Sequence, residues 1–226
     1  MPQSRLHATS WLGILMLRTR FPRPPGDIGH PASFEIPVRW RVVPGASPAR
    51  VVHERAAGLL EPFIATARAL VGEGAGAIAT GCGFLALHQR ELQAALPVPV
   101  WSSALLWLAE LESPGIVTAD AASLTAEHLR AVGADPDTPI EGLSQGCAFQ
   151  RTLIDDLPTL DEADARAQTV AAAQRLVLHH PDVRQIVLEC TNMPPHADAV
   201  AQATGRPVHH ILDLLHRRWH ALARAC

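Results

Sequence analysis

Short apolar runs alternate along this chain with longer stretches of helical period. The runs 11–17 (WLGILML), 38–43 (VRWRVV), 76–80 (GAIAT) and 98–102 (VPVWS) are bounded by Gly, Pro or polar turns and predict strands. Between them, 50–71 has apolar positions at helical spacing after the start signal Ser47-Pro48, and 84–95 has them after Gly83, which predicts two helices. The second half repeats the pattern. Strands are expected near 115–118 (GIVT), 139–143 (PIEGL) and 184–189 (RQIVLE), helices near 125–132 and 161–179, and a last strand and helix within 207–225. Strand and helix in alternation predict an α/β protein with mostly parallel sheets flanked by helices. No short repeat period is present, so a solenoid is excluded.

Two of the runs end alike. Gly76-Ala-Ile-Ala-Thr-Gly-Cys82 and Gln185-Ile-Val-Leu-Glu-Cys190 are each an apolar strand closed by a cysteine that opens a helix or turn. This matching predicts two pseudo-symmetric lobes, each around its own sheet, with an active site in the cleft between them. The first lobe is expected over 1–103, completed by 206–226, and the second over 104–205.

Between the first two strands, 18–37 (RTRFPRPPGDIGHPASFEIP) holds five prolines and two glycines and cannot continue a strand or helix. It reads as a long loop leaving the end of the first strand, where α/β proteins bind ligands, and so as a candidate lid as well as a plain surface excursion.

Composition narrows the chemistry. The chain has 226 residues, 48% hydrophobic and 18% charged, the profile of a globular protein with a sizeable core. Its net charge of -3 and the lack of any basic stripe argue against nucleic acid as a partner. The apolar stretch Trp11 to Leu17 is far short of the roughly 20 residues that span a bilayer. No ordered secretory leader is read, so a cytoplasmic protein without a membrane partner is expected. All 19 basic residues are Arg. Without lysine there is no Schiff base to pyridoxal phosphate and no P-loop. Without tyrosine, proton transfer falls to His, Cys, Asp or Glu.

The cysteines at 82, 147, 190 and 226 have no C-x-x-C spacing and read as thiols, with neither disulfides nor zinc expected. Cys147 and Cys226 follow no comparable strand and are taken as bystanders. A thiol between a strand's end and a helix's start meets unsatisfied amides, which predicts a lowered pKa for Cys82 and Cys190 and a role as bases. Gly81 and Gly83 flank Cys82 and let substrate come close. Thr80, Thr191 and Asn192 offer donors for a carboxylate, and Ser102 and Ser103 could reach the same cleft. Strand alternation points Glu189 away, as a structural or supporting residue.

Other motifs carry less. Gly81-Cys-Gly-Phe-Leu-Ala86 fits a dinucleotide fingerprint, but the next strand ends in Trp101-Ser102-Ser103 with no acid for a ribose. His216 and His220 share a helix face, yet Arg217 and Arg218 lie between them and no third ligand is near, so a solvent-facing pair is expected and no metal.

The run Leu188-Glu-Cys-Thr-Asn-Met-Pro-Pro195 resembles the second-cysteine motif of the aspartate/glutamate racemase superfamily, and Thr80-Gly-Cys-Gly83 is similar to the first. The superfamily includes glutamate, aspartate and hydantoin racemases, maleate isomerase and arylmalonate decarboxylase. The resemblance extends over nearly the whole chain, and Leu12-Gly-Ile-Leu15 with Pro25-Gly-Asp27 fits a less characterised branch of it. It implies a cofactor-independent racemase or epimerase acting on a small carboxylate or amino acid, in which one cysteine removes the α-proton and the other returns one from the opposite face. Asn192 stands where glutamate racemases carry His, and Arg18-Thr19 where they carry Asp-Ser, so glutamate itself is not implied. Another chemistry of the superfamily, or a non-catalytic binding protein of the same shape, are the alternatives. A homo-oligomer is left open.

Overall fold

The computed structural model describes residues 10–224; Cys226 lies outside the described residues. The chain begins with β1 (Trp11–Met16), followed by β2 (Val38–Val42), α1 (Pro48–Val52), α2 (Leu60–Gly72), β3 (Ala75–Thr80), α3 (Gln89–Ala95) and β4 (Val100–Trp101). Then come β5 (Pro114–Thr118), α4 (Ala126–Ala131), β6 (Ile140–Gly142), α5 (Ala148–Ile154), α6 (Glu162–His179), β7 (Gln185–Leu188), α7 (Ala197–Thr204), β8 (Val208–His209) and α8 (Ile211–Arg224). Among the described residues four 3-10 helices, including Gly83–His88 and Ala104–Glu110, link these elements.

The strands form two four-stranded sheets of the same topology, β2-β1-β3-β4 and β6-β5-β7-β8, with every pairing parallel. The expected α/β architecture of two matched parallel sheets is the one observed. The inner strands explain why these runs were readable. All six residues of β1 are buried and β3 is nearly so, because helices cover both faces, whereas the edge strand β2 has no buried residue.

Two expected helices are divided. The stretch 50–71 breaks into α1 and α2 because Arg55 and Ala56 take positive φ and Gly58 follows at φ 70, which no helix tolerates. The stretch 84–95 starts as the 3-10 turn Gly83–His88 before becoming α3.

The core falls into two clusters. Leu12, Ile14, Phe63 and Ile78 anchor the first, which also takes in Ile116 and Val187 from the second sheet, and Val117, Phe149, Leu176 and Leu188 anchor the second. The chain after residue 205 is shared between them. Strand β8 pairs with β7 in the second sheet, whereas Ile211, Leu214, Leu215 and Trp219 of α8 belong to the first core. Among the described residues no helix is long and apolar enough to cross a membrane.

Candidate active site

The C-terminal ends of the inner strands of both sheets open on one narrow cavity of about 410 Å³, counting its mouth. Leu17 and Thr19 follow β1, Gly81 to Phe84 follow β3, Ala119 follows β5, and Glu189 to Asn192 follow β7; Phe21 and Arg23 come from the 18–37 loop, and Leu153 and Ile154 from α5. The two halves are bonded across this point. Thr191 Oγ1 donates to the Gly81 carbonyl (2.9 Å), and Asn192 Nδ2 donates to Asp27 Oδ2 (2.5 Å).

Of the residues singled out in the sequence, Cys82, Cys190, Gly81, Gly83, Thr191 and Asn192 line this cavity. Three others do not. Thr80 is fully buried and donates to the carbonyls of Ser102 (2.5 Å) and Cys82 (3.0 Å). Ser102 Oγ donates to Gln89 Oε1 (2.6 Å), and Ser103 Oγ caps the 3-10 helix at Leu105. Their hydroxyls satisfy backbone and a neighbouring amide at the end of the sheet, and none reaches the cavity. Cys147 caps α5, its sulfur accepting from the Gln150 amide. His216 is half-buried, edge-on to Phe34, while His220 is exposed.

Glu189 is the residue that alternation misplaced. Strand β7 ends at Leu188, so the two-residue period no longer applies one position later. The side chain lies in the cavity wall with no solvent exposure, and its Oε2 accepts from Thr118 Oγ1 (2.7 Å). Its Oε1 is buried without a hydrogen-bond partner. Room for it exists because residue 83 is glycine; a Cβ there would stand 2.2 Å from Oε1 and 2.3 Å from the Glu189 carbonyl oxygen.

The electrostatics run opposite to the expectation of lowered thiol pKa values. Burial, reinforced by the charge of Glu189, pushes the Cys82 thiol up to about 12 and the Cys190 thiol well above its ordinary value. The amides of Phe84 and Asn192 do act to lower them, as does Arg23 on Cys82, but the first belongs to a short 3-10 helix and the second to a turn, and both are outweighed. The two sulfurs also interact, Cys82 adding to the rise at Cys190. Burial raises Glu189 to about 7, against the pull of its Thr118 hydrogen bond.

Arg23 was not singled out by sequence reasoning, since nothing in a proline-rich loop marks one arginine among several. Its guanidinium lies over the Phe21 ring (4.8 Å), bonds Asp27 Oδ1 (2.7 Å) and reaches Thr19 Oγ1 (3.1 Å). Asp27 also accepts from the Gly29 amide (2.7 Å). The 18–37 loop therefore supplies part of the cavity wall. Among the described residues no group of three or more side chains could hold a metal ion.

Solved structures with this arrangement of two matched sheets include unliganded arylmalonate decarboxylase, 19% identical with a TM-score of 0.57 over 88% of this chain and 86% of that one. An aspartate racemase homologue from Pyrococcus horikoshii OT3 superposes with a TM-score of 0.57 over 96% of this chain and 100% of that one, at 14% identity. The chain has the aspartate/glutamate racemase fold. Glutamate racemase from Thermus thermophilus shares this racemase fold too, with a TM-score of 0.53 at 16% identity over 94% of this chain and 81% of that one. No protein-family profile matches the chain.

Sequence relatives of the racemase-fold chain carry a different name. A dimethylsulfoniopropionate lyase of Durusdinium sp. clade D is 29% identical over 214 residues, 88% of this chain and 70% of that protein. Dimethylsulfoniopropionate lyase 7 of Emiliania huxleyi (strain CCMP1516) is 30% identical over 215 residues, 87% of this chain. The chain spans 62% of that second relative's length.

Proposed function

We propose that this protein is a lyase that breaks a small carboxylate by removing the proton next to the carboxylate and expelling a group from the neighbouring carbon, with dimethylsulfoniopropionate as substrate. The observation that carries this reading is that Cys82 and Cys190, at the ends of equivalent strands, line one narrow cavity with a guanidinium, Arg23. The name shared by the sequence relatives supports the choice of substrate.

In the proposed step a cysteine thiolate takes the α-proton. The C–H electron pair becomes the carbon–carbon double bond, the bond from the β-carbon to sulfur breaks, and dimethyl sulfide leaves with that electron pair. Acrylate remains, and the thiol returns its proton to solvent, so the sum is one dimethyl sulfide, one acrylate and one proton per substrate. In this reading Arg23 and the amides opening the segment after Cys82, which line the same cavity, spread the charge that builds on the carboxylate, as donors in an oxyanion hole do.

Racemisation is the second reading, favoured by the presence of two thiols rather than one in this cavity. It shares the first step and differs in the fate of the carbanion, which the opposite thiol reprotonates. Headspace gas chromatography with dimethylsulfoniopropionate, run beside circular dichroism with both enantiomers of aspartate and glutamate, separates the two. Dimethyl sulfide release equimolar with acrylate supports the lyase. Loss of optical rotation without release would replace it by the racemase.

A further inference from the structure

The ionisable groups in the cavity wall are unbalanced. Cys82, Cys190 and Glu189 are all acids, and the one cation among the lining residues, Arg23, is already bonded to Asp27 at 2.7 Å. Glu189 is wholly buried, one of its oxygens is held by Thr118, and the other has no partner. Buried polar atoms are almost always bonded, so such an atom in a ligand cavity calls for a complement that the ligand brings. The complement is a positive charge. Because Oε1 is buried beside Gly83, the charge it calls for is one that acts through space and needs no hydrogen bond. A centre capped by methyl groups meets that condition, and the apolar side chains of Phe84, Leu153 and Ile154 lie in the same wall.

We propose that Glu189 selects the substrate, its carboxylate facing the methylated cationic centre, sulfonium or quaternary ammonium, of a small zwitterionic carboxylate. This rests on the reading above in so far as that reading puts a small carboxylate in the cavity, but not on elimination taking place. The bound cation also eases the ionisation of the thiols, which the charge of Glu189 opposes.

The test is calorimetric binding to the full chain of β-alanine betaine, a quaternary ammonium carboxylate without the sulfonium leaving group, beside its neutral tert-butyl isostere. The wild type is expected to bind the betaine at least roughly tenfold tighter. That preference should shrink from about pH 8 to about pH 6, as Glu189 takes up a proton. The other titratable groups in this cavity wall are Cys82, Cys190 and Arg23, with Asp27 bonded behind Arg23, and the two thiols titrate far above that range. Glu189→Gln keeps the shape and should lose the preference. Thr118→Val, which withdraws the stabilising hydrogen bond, should move the pH midpoint of the preference upward and serves if the glutamine variant does not fold. Equal binding of the two ligands, binding of neither, or a preference that survives in Glu189→Gln overturns the assignment. Dimethyl sulfide release without a betaine preference removes Glu189 from this role and leaves the lyase standing; a betaine preference without release does the reverse.

Discussion

At the end of β3, Cys82 sits between two glycines and leads straight into a 3-10 helix; at the end of β7, Cys190 follows a buried glutamate and a turn separates it from the next helix. The sheets repeat each other strand for strand, but the two strand ends do not. The first withholds side chains and the second projects one into the space withheld, Glu189 lying where a Cβ of residue 83 would be. Equivalent backbones thus hold two thiols in unlike surroundings. A duplicated fold supplies the paired position, and the residues beside each cysteine decide what each can do.

The largest effect that can break this comparison is on turnover. A base that takes a proton in the transition state contributes on the order of 100- to 10,000-fold, so Cys82→Ser and Cys190→Ser should differ by about that factor if one thiol alone is the base. Dimethyl sulfide release by each variant measures it. Equal and complete loss in both would point to two-base chemistry, and wild-type rates in either would remove that thiol from the reaction.

Next comes the strap that ties the loop to the second strand end. Asp27 is 1% exposed and accepts from Arg23, Gly29 and Asn192, so Asp27→Ala leaves a half-buried guanidinium and a side-chain amide without their acceptor. About 3 kcal/mol of stability should be lost, read from the urea midpoint at constant slope.

The two glycines beside Cys82 sharpen the contrast further. A Cβ at Gly83 meets the Glu189 backbone at 2.3 Å, whereas one at Gly81 meets the Met16 sulfur at 2.5 Å. Backbone cannot yield and a methionine side chain can, so Gly83→Ala should cost about 2–3 kcal/mol and Gly81→Ala about half of that in the same denaturation experiment.

Smaller still is the pH dependence of stability. Burial holds His128, which packs edge-on to Phe84, and His196, edge-on to Phe149, down at about 4. A group held below its unfolded value near 6.5 costs stability as pH falls from about 6.5 to about 4, because only the unfolded chain takes up the proton. Glu189, held above its unfolded value, has the opposite sign and costs stability as pH rises from about 4.5 to about 7. Urea midpoints across pH 4 to 8 should show His128→Gln flattening the acid limb and Glu189→Gln flattening the limb up to neutrality. The weakest effect belongs to Arg20→Ala, whose exposed pair with Asp156 spans the loop and the end of α5 and should be worth less than about 1 kcal/mol by thermal melting.

The fold was legible because its inner strands are unbroken apolar runs bounded by turns. Helices α5 and α7 and the 3-10 segment Ala104–Glu110 were not, being too short to establish a period. In the site, the matched strand ends singled out both thiols that line the cavity. Thr80, Ser102 and Ser103 could not be told from cavity residues, since a hydroxyl near a strand end turns to whichever acceptor is nearer, and here that is protein. Glu189 was misread because the period of a strand carries no information past its last residue. The sign of the thiol shifts was misread for a related reason: a sequence shows a following helix but not how far burial outweighs it.

The division of the final segment bears on how the molecule comes off the ribosome. Trp107 donates to the His210 carbonyl and carries Arg217 over its ring, and Arg217 and Arg218 both reach Glu110, so the first core is closed by residues made more than a hundred positions after its sheet began. The smaller core on the other face of the second sheet includes no residue of α8. Because the first core also takes in Ile116 of β5 and Val187 of β7, α8 seals one face of the second sheet as well as the first, and neither half is fully packed until Ile211, Leu215 and Trp219 are in place.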